Sequence, residues 1–311
     1  MPLLRRKRLL AAKVEATPGT AETLANADAA FNVYNPVPQA NIEVETREAQ
    51  AGFGMLSGVP GSRAGSLTFR TEIWWDGTVT MPSWAAILLP ACGWVDSSQT
   101  FNPTSEAPGS NVKTLTMGVY EDGLRKQLVG AAGTFQIVCP TGDMVYCDWT
   151  FTGVWQPVTD TALLSPTYPN DKPLRYATAT TQFNSNNLCV EQITFDAGNT
   201  VTLRECAASA AGFDYAVITN RAPTITANPE SQLVATRDDY GDWLASTEAE
   251  FSVTLDGIST STIEISAPKA QITNVQEGDR EGIQIDDITY SCNKNGATDD
   301  QELQIIFTES S

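Results

Sequence analysis

The feature that most constrains the fold of this chain is a two-residue alternation of apolar and polar side chains. In residues 67–73, for example, Leu67 and Phe69 fall on one face, while Thr68 and Arg70 fall on the other. Successive side chains of a β-strand point to opposite faces, so the pattern predicts strands with one buried and one solvated face. Sheets with two such unlike faces are typically antiparallel. The sequence therefore predicts an all-β, antiparallel fold.

The same alternation recurs to the end of the chain and predicts many further strands. Turns are predicted where glycine and acidic or amide residues cluster, at 121–123, 141–143, 197–199 and 277–279. The predicted strands are 41–45, 67–73, 113–120, 134–139, 145–152, 189–195, 200–205, 214–219, 222–227, 251–255, 262–266, 269–274, 282–292 and 303–307.

One short helix is predicted, over residues 82–92. Pro82 is a favourable first helical residue, and Trp84, Ile87 and Leu88 share one face at helical spacing. We interpret this apolar face as core that covers an open side of a sheet.

Two long segments, 46–64 and 228–247, lack strand patterning and carry apolar residues. Long structureless loops are uncommon in compact domains unless they have a function, and exposed apolar side chains favour a partner surface. We therefore predict contacts with other copies of the chain at Phe53, Met55, Leu56, Tyr240 and Trp243.

Weak internal similarity favours a duplicated β domain. The spacing of Ile42 to Leu67 resembles that of Ile225 to Phe251, and residues 115–135 resemble residues 193–213, although in a different phase. The segment 161–185 is rich in Pro, Thr, Ser and Asn and is interpreted as a linker. The predicted organisation is an N-terminal arm (1–27), a first domain (28–160), this linker, and a second domain (186–311).

Composition excludes several classes of function. The 311 residues include no histidine, which removes Ser-His and Cys-His catalysis and His-ligated zinc. The net charge is −18, the wrong sign for gripping nucleic acid phosphates, and no apolar run is long enough to span a membrane. The six cysteines are widely spaced and are interpreted as reduced, mostly buried thiols.

No motif for catalysis or for a cofactor stands out. Acidic pairs at 238–239, 286–287 and 299–300 are interpreted as solvated surface, because adjacent residues of a strand point to opposite faces. A glycosidase pair or a calcium site is the alternative interpretation. We predict no catalytic residue, no cofactor and no metal site.

Four consecutive basic residues, Arg5, Arg6, Lys7 and Arg8, contrast with the acidic remainder. The apolar run after them is too short for a secretory signal, so export is not expected. The cluster could bind nucleic acid or an anionic membrane, but docking on an acidic neighbouring subunit is favoured. Residues 1–13 are expected to be disordered in the free subunit and to become ordered on assembly.

Two stretches resemble the major tail tube proteins of long, non-contractile-tailed bacteriophages. The first runs from Leu9 to Leu24 and the second from Met81 to Trp94. The residues that fill the two motifs are Lys13, Glu15, Thr17, Gly19 and Thr20, and Pro82, Trp84, Leu88, Leu89, Ala91, Cys92 and Gly93.

The resemblance implies a non-enzymatic virion protein whose β-sandwich domains form stacked rings with a closed inner barrel. Under the resemblance, the contacts predicted at Phe53, Met55, Leu56, Tyr240 and Trp243 are expected between adjacent rings. It implies a negatively charged conduit through which genome DNA passes into the host without specific binding. With two tube-like domains per chain, a trimeric ring of pseudo-sixfold symmetry is favoured, and a hexameric ring is the alternative. Its implied partners are further copies and the tape-measure, terminator and distal tail proteins, and no membrane is involved.

The expected location of the protein is the tail of a virion made in the host cytoplasm. Two other functions remain open. One is a different β-sandwich virion role, namely a tail terminator, capsid decoration or receptor-binding module. The other is a carbohydrate-active enzyme.

Overall fold

The computed structural model describes residues 3–48, 53–257 and 261–309. Antiparallel strands dominate, so the predicted all-β class is confirmed. In the described residues no helix is long and apolar enough to cross a membrane. The strands are β1 (Arg8–Val14), β2 (Val33–Arg47), β3 (Leu56–Glu72), β4 (Trp94–Ser97), β5 (Thr100–Pro103), β6 (Leu115–Glu121), β7 (Leu124–Pro140), β8 (Tyr146–Trp155), β9 (Thr159–Asp160), β10 (Thr180–Phe183), β11 (Asn186–Asn187), β12 (Val190–Asp196), β13 (Asn199–Glu205), β14 (Phe213–Arg221), β15 (Thr224–Pro229), β16 (Glu248–Asp256), β17 (Thr262–Arg280), β18 (Ile283–Cys292) and β19 (Gln304–Thr308).

One predicted turn is wrong. Residues 277–279 lie inside β17, which also joins the two strands predicted at 262–266 and 269–274 into one. A bulge near Pro268 absorbs the break, because the register with β16 shifts there. The real turn is the two-residue connection Glu281–Gly282, with φ of 53° and 89°. Two positive φ values suit the tight hairpin turns that match strand twist.

In the first half of the molecule, β1 to β9, six strands form one continuous run of antiparallel neighbours, while β4 and β5 pair with each other. β1 pairs with β6, β6 with β7, β7 with β8, β8 with β3, and β3 with β2. β2 and β3 make a long hairpin. β9 adds two residues at the start of β7.

The second half, β10 to β19, repeats this order. β10 pairs with β16, β16 with β17, β17 with β18, β18 with β15, and β15 with β12. β13 and β14 pair with each other and continue β12 and β15 outward, so 190–205 and 213–229 form one long interrupted hairpin. This hairpin is the counterpart of β2–β3.

The shared strand order gives the phase of the internal repeat. The hairpin at 33–72 corresponds to the one at 190–229, and the β6–β7–β8 meander corresponds to β16–β17–β18. The similarity seen in sequence between 42–67 and 225–251 therefore joins non-equivalent elements, as does the one between 115–135 and 193–213. Strand spacing alone misled that alignment, because 42–67 lies within one hairpin, whereas 225–251 runs from β15 to β16, whose ladder partners are other strands.

The two halves share one sheet and one hydrophobic core. β12 pairs with the end of β7 from Gln192–Pro140 to Asp196–Gln136, and β19 pairs with β5. The buried core cluster runs without a break through residues of both halves. The sheet has free edges and does not close on itself among the described residues.

Each half carries a cluster of buried aromatic rings. In the first, the Trp149 ring lies 5.4 Å from Phe135 and 6.1 Å from Phe151, centroid to centroid. In the second, the Tyr290 ring lies 4.9 Å from Phe183 and 5.0 Å from Phe251. Such pairs contribute about 0.5–1.5 kcal/mol each beyond area burial, so each half has its own centre of packing.

The helix predicted over 82–92 is present as a π-helical turn, Trp84–Leu88, followed by the short helix α1, Leu89–Ala91. Trp84 is buried and its indole N–H donates to the Trp74 carbonyl at 2.9 Å. Its ring packs against Phe307 of β19. The apolar face is therefore core, as predicted.

Two segments interpreted as loops are more regular than expected. Most of 46–64 belongs to the β2–β3 hairpin, with residues 49–52 outside the described ranges. Segment 228–247 contains the helix α2, Asp239–Ala245. The strand predicted at 41–45 lies within β2, but the start of β3 was not predicted, because both of its faces are largely solvated and the alternation is lost.

The predicted linker and arm are partly built into the fold. Within 161–185, Leu174 and Tyr176 are buried and β10 starts at Thr180. Within the arm, β1 pairs along its whole length with β6, so the expectation of disorder through residue 13 is wrong for residues 8–13. Leu10 and Ala12 supply the buried face of that strand.

Candidate assembly surfaces

Comparison of the two repeats identifies an edge of β17 and an edge of β2 that are unpaired in the described residues although their counterparts are paired. One edge of β7 is shared by β6 and, farther along, by β12. The corresponding edge of β17 is covered by β16 only as far as Gln271. The outer edge of β2, the counterpart of β12, has no ladder partner among the described residues. Unpaired edges expose backbone N–H and C=O groups that favour pairing with another chain.

The distal β2–β3 hairpin exposes apolar side chains on both of its strands. Phe53 is fully exposed, Met55 is 59% exposed and Leu56 is half-buried. On the flanking strands, Val44 and Val59 are 59% and 49% exposed. The residues predicted from sequence thus belong to a larger apolar patch, which we call the hairpin patch: Ile42, Val44, Phe53, Met55, Leu56 and Val59.

A buried ion pair between Arg237 and Asp239 stabilises the α2 segment, 228–247, from within. Arg237 Nε donates to Asp239 at 2.8 Å, and Arg237 Nη2 donates to the Glu230 carbonyl at 2.8 Å. Burial raises the pKa of Asp239, while the hydrogen bond from Arg237 opposes that rise. Asp238 caps the helix by accepting a hydrogen bond from Gly241 N at 2.7 Å. The interpretation of the 238–239 pair as solvated surface is therefore wrong for Asp239, which is buried against Arg237.

This anchored segment presents apolar residues outward. Tyr240 and Trp243 are 44% and 37% exposed, and Leu233 and Leu244 are 80% and 88% exposed. The two aromatic residues predicted from sequence therefore lie in a second apolar patch, which we call the α2 patch: Leu233, Tyr240, Trp243 and Leu244. It is separate in sequence from the hairpin patch.

Half of the basic cluster is satisfied within the chain. Arg8 pairs with Glu121 and donates to the Pro36 carbonyl at 2.7 Å, and Lys7 Nζ lies 3.3 Å from Asp122. A hydrogen bond from Leu4 N, assisted by Lys7, holds the pKa of Asp122 below its usual range. These acids lie at the β6–β7 turn, so two of the four cations have ion-pair partners within their own chain.

Arg5 and Arg6 are different. Both are exposed, and neither has an ion-pair partner among the described residues. They line a shallow groove together with the start of β2, from Val33 to Val37. Two positive charges therefore stand beside an unpaired strand edge.

Other titratable groups form structural contacts. Asp300 accepts hydrogen bonds from Ser105 and Arg221, which outweigh burial and lower its pKa. Burial raises the pKa of the Cys92, Cys139 and Cys147 thiols, so these side chains stay protonated. Over the described ranges no group of three or more acids, cysteines or histidines is placed to hold a metal ion.

The first sequence motif has a structural role that sequence reasoning did not assign. The Glu15 carboxylate is buried and accepts hydrogen bonds from Thr114 Oγ1 at 2.7 Å and Thr116 Oγ1 at 2.9 Å. It also accepts from the backbone N–H groups of Gly19 at 2.8 Å and Gly130 at 2.7 Å. Glu15 thereby joins the motif to β6 and β7.

The fold is an antiparallel β-sandwich with two repeats of the same strand order, free strand edges and exposed apolar patches. These features define a class of protein that favours association between copies of the chain. A sequence model described as "Phage tail tube protein" matches residues 5–293. The chain belongs to this family of structural tail proteins, as the two motifs indicated. Among curated proteins, no sequence matches it.

Proposed function

We propose that copies of this protein assemble into rings that stack to form the phage tail tube, the conduit for genome ejection. The observation that carries the proposal is the family match over nearly the whole chain. The net charge of −18 supports the conduit role. Proteins bind DNA when their cations neutralise phosphates and so release counterions, and an acidic wall does not do this. DNA then passes without being held.

Three copies form each ring in this proposal. Both halves have the same strand order, so three chains supply the six repeat units of a pseudo-sixfold ring. Within such a ring, neighbouring sheets would join into a closed inner barrel and leave fewer free edges.

Contacts between stacked rings are proposed for the α2 patch around Tyr240 and Trp243. Phe53, Met55 and Leu56, which the sequence analysis expected between rings, are proposed instead to contact a neighbouring copy within the same ring. Tape-measure, terminator and distal tail proteins would bind the ends of the tube. The assembled virion tail is the proposed site of action.

Negative-stain and cryo-electron microscopy of the purified chain test this function. We expect long hollow filaments with a lumen wide enough for duplex DNA and with threefold symmetry in each ring. A chain that stays monomeric or forms only small closed oligomers at high concentration would instead act as a terminator, decoration or receptor-binding module. True sixfold symmetry would retain the tube and overturn the three-copy ring.

A further inference from the structure

The chain contains one complete junction between its two repeat units. In that junction, β12 of the second half pairs with the end of β7 of the first. The β13–β14 extension then crosses the first half and packs on β7, β8 and β3. Its tip is fixed by a hydrogen bond from Arg63 N to the Ala211 carbonyl at 3.0 Å, and Arg63 Nη2 donates to Ala210.

The same parts occur a second time without partners. The end of β17 has the free edge that corresponds to the edge β12 covers on β7, and β2 has the free edge that corresponds to β12. The distal β2–β3 hairpin, the counterpart of β13–β14, projects with its apolar residues exposed. A second copy of the chain would place its β2 edge and its β2–β3 hairpin against the free edge of β17.

From these parts we infer that the β2–β3 hairpin of one copy crosses the second half of a neighbouring copy in the same ring, as β13–β14 crosses the first half within the chain. The start of β2 then lies along the end of β17. This inference rests on the proposed tube function and names the surface through which neighbours in a ring meet.

The burial of equivalent residues supports the crossing. The ladder pair nearest the turn is Arg47–Leu56 in β2–β3 and Glu205–Phe213 in β13–β14. Val59 lies three residues after Leu56 and Ala216 lies three residues after Phe213, so these two positions correspond. Ala216 is fully buried under the internal junction, whereas Val59 is 49% exposed. A neighbour in the corresponding position would bury Val59 and the rest of the hairpin patch, whose exposure in water is unfavourable.

Charge complementarity supports the same placement. Within the chain, Gln192 near the start of β12 lies opposite Pro140 at the end of β7. The equivalent arrangement brings the start of β2, with Arg5 and Arg6 beside it, to the end of β17, where Glu277 and Asp279 are exposed. Cations without partners thereby meet acids on the next copy.

β2 differs from β12 in containing Pro36 and Pro38. Proline cannot donate a backbone hydrogen bond, so the ladder between copies has fewer donors than the internal one. Prolines on an edge strand also discourage pairing with unrelated chains. The hairpin crossing and the charges therefore carry more of the contact between copies than they do within the chain.

Disulfide trapping tests the crossing at a defined pair of positions. Gly54 lies two residues before β3, and its counterpart Ala211 lies two residues before β14. Arg63 is the eighth residue of β3, and its counterpart Asn220 is the eighth residue of β14. In a Cys189→Ser/Cys206→Ser background, Gly54→Cys/Asn220→Cys should give covalent oligomers after oxidation of assembled protein. A Cβ at Gly54 meets no atom within 4 Å, so the substitution fits.

Two controls define the result. Arg63→Cys/Ala211→Cys in the same background should form a disulfide within one chain, because a backbone hydrogen bond already joins these residues. Gly54→Cys alone and Asn220→Cys alone should give no ladder of oligomers. Covalent oligomers from the double variant that close at three copies would support the junction, and closure at six would support it while overturning the three-copy ring.

Tubes in which the control pair oxidises but the Gly54→Cys/Asn220→Cys pair does not would overturn the junction and leave the tube function standing. That result is also the one expected if the hairpin contacts an adjacent ring. Closed covalent rings without tubes would retain the junction and overturn the tube function.

A second variant tests the apolar contact without introduced cysteines. Val59→Asp should leave the isolated chain folded, because the side chain is exposed, but should reduce assembly at least tenfold in sedimentation. The matched control is Val79→Asp, at a position that is 72% exposed and outside the hairpin patch. Equal assembly of the two variants would overturn the inference.

Discussion

Glu15 shows how a residue of a sequence motif can serve the fold. Its two carboxylate oxygens accept hydrogen bonds from two threonine hydroxyls and two glycine N–H groups that lie far apart in sequence. A buried carboxylate is costly unless its oxygens are satisfied, and here both are. The motif therefore marks a point where the N-terminal segment is fastened to β6 and β7.

Glu15→Gln should lower the free energy of unfolding by about 2 kcal/mol. An amide offers one acceptor oxygen in place of two, so at least one of the Gly19 and Gly130 N–H groups loses its partner. Chemical denaturation of the isolated chain measures the change. The exposed Glu43→Gln is the control and should stay close to wild type. Equal stability of the two variants would contradict the fastening role.

At the scale of single elements, alternation was informative wherever one face of a strand is buried. The strand predicted at 145–152 corresponds to β8, where Cys147, Trp149 and Phe151 are buried and Asp148 and Thr150 are not. In the distal β2–β3 hairpin, the strand predicted at 41–45 is present within β2, but the distal part of β3 escaped prediction. Sequence patterning records burial in the folded monomer, and it carries no signal for a strand whose two faces are both exposed there.

Turn chemistry limited prediction in a different way. Glu277-Gly278-Asp279 has the composition of a turn, but Gly278 lies in β17, where an added Cβ would meet Ile285 at 2.9 Å. A glycine can mark a close approach as readily as a turn, and composition does not separate the two. Only the pairing partner, β18, distinguishes them.

Gly130→Ala should destabilise the contact between β7 and β14. Gly130 has a φ of 60°, and an added Cβ would lie 2.6 Å from Tyr215 Cβ. Backbone strain and the clash together should lower the free energy of unfolding by more than about 2 kcal/mol, with faster hydrogen exchange in β13–β14. Gly296→Ala separates the two causes, because Gly296 has the same φ and open space around it. Equal losses of unfolding free energy in both variants would show that the clash with Tyr215 contributes nothing.

At the scale of the whole molecule, the sequence indicated duplication but not its phase. The repeat became clear from which strands pair, as in the matching of β1–β6 with β10–β16. The candidate contact surfaces were only partly accessible to sequence reasoning. Exposed aromatics such as Phe53 and Trp243 stood out in loops, whereas the free edge of β17 follows from the absence of a neighbour, which no residue type encodes.

The basic cluster was predicted to dock on an acidic neighbour, and the fold narrows that prediction to Arg5 and Arg6. Lys7 and Arg8 already pair with Asp122 and Glu121. Arg5→Gln/Arg6→Gln should leave the stability of the isolated chain unchanged, since neither side chain has an ion-pair partner among the described residues. Tube assembly should weaken, because each copy would lose two cations facing Glu277 and Asp279 of the next.

Salt dependence distinguishes this docking from DNA binding. Single exposed ion pairs contribute only about 0–1 kcal/mol, but the contact repeats at every copy, so the deficit should be clear at about 20 mM salt. At about 1 M salt the Debye length falls to about 3 Å, and the variant should sediment as wild type does. Lys172→Gln/Lys294→Gln, which removes two positive charges at exposed positions elsewhere on the chain, is the charge-matched control. Assembly equal to wild type at low salt, together with lost retention on a DNA column, would assign Arg5 and Arg6 to DNA instead.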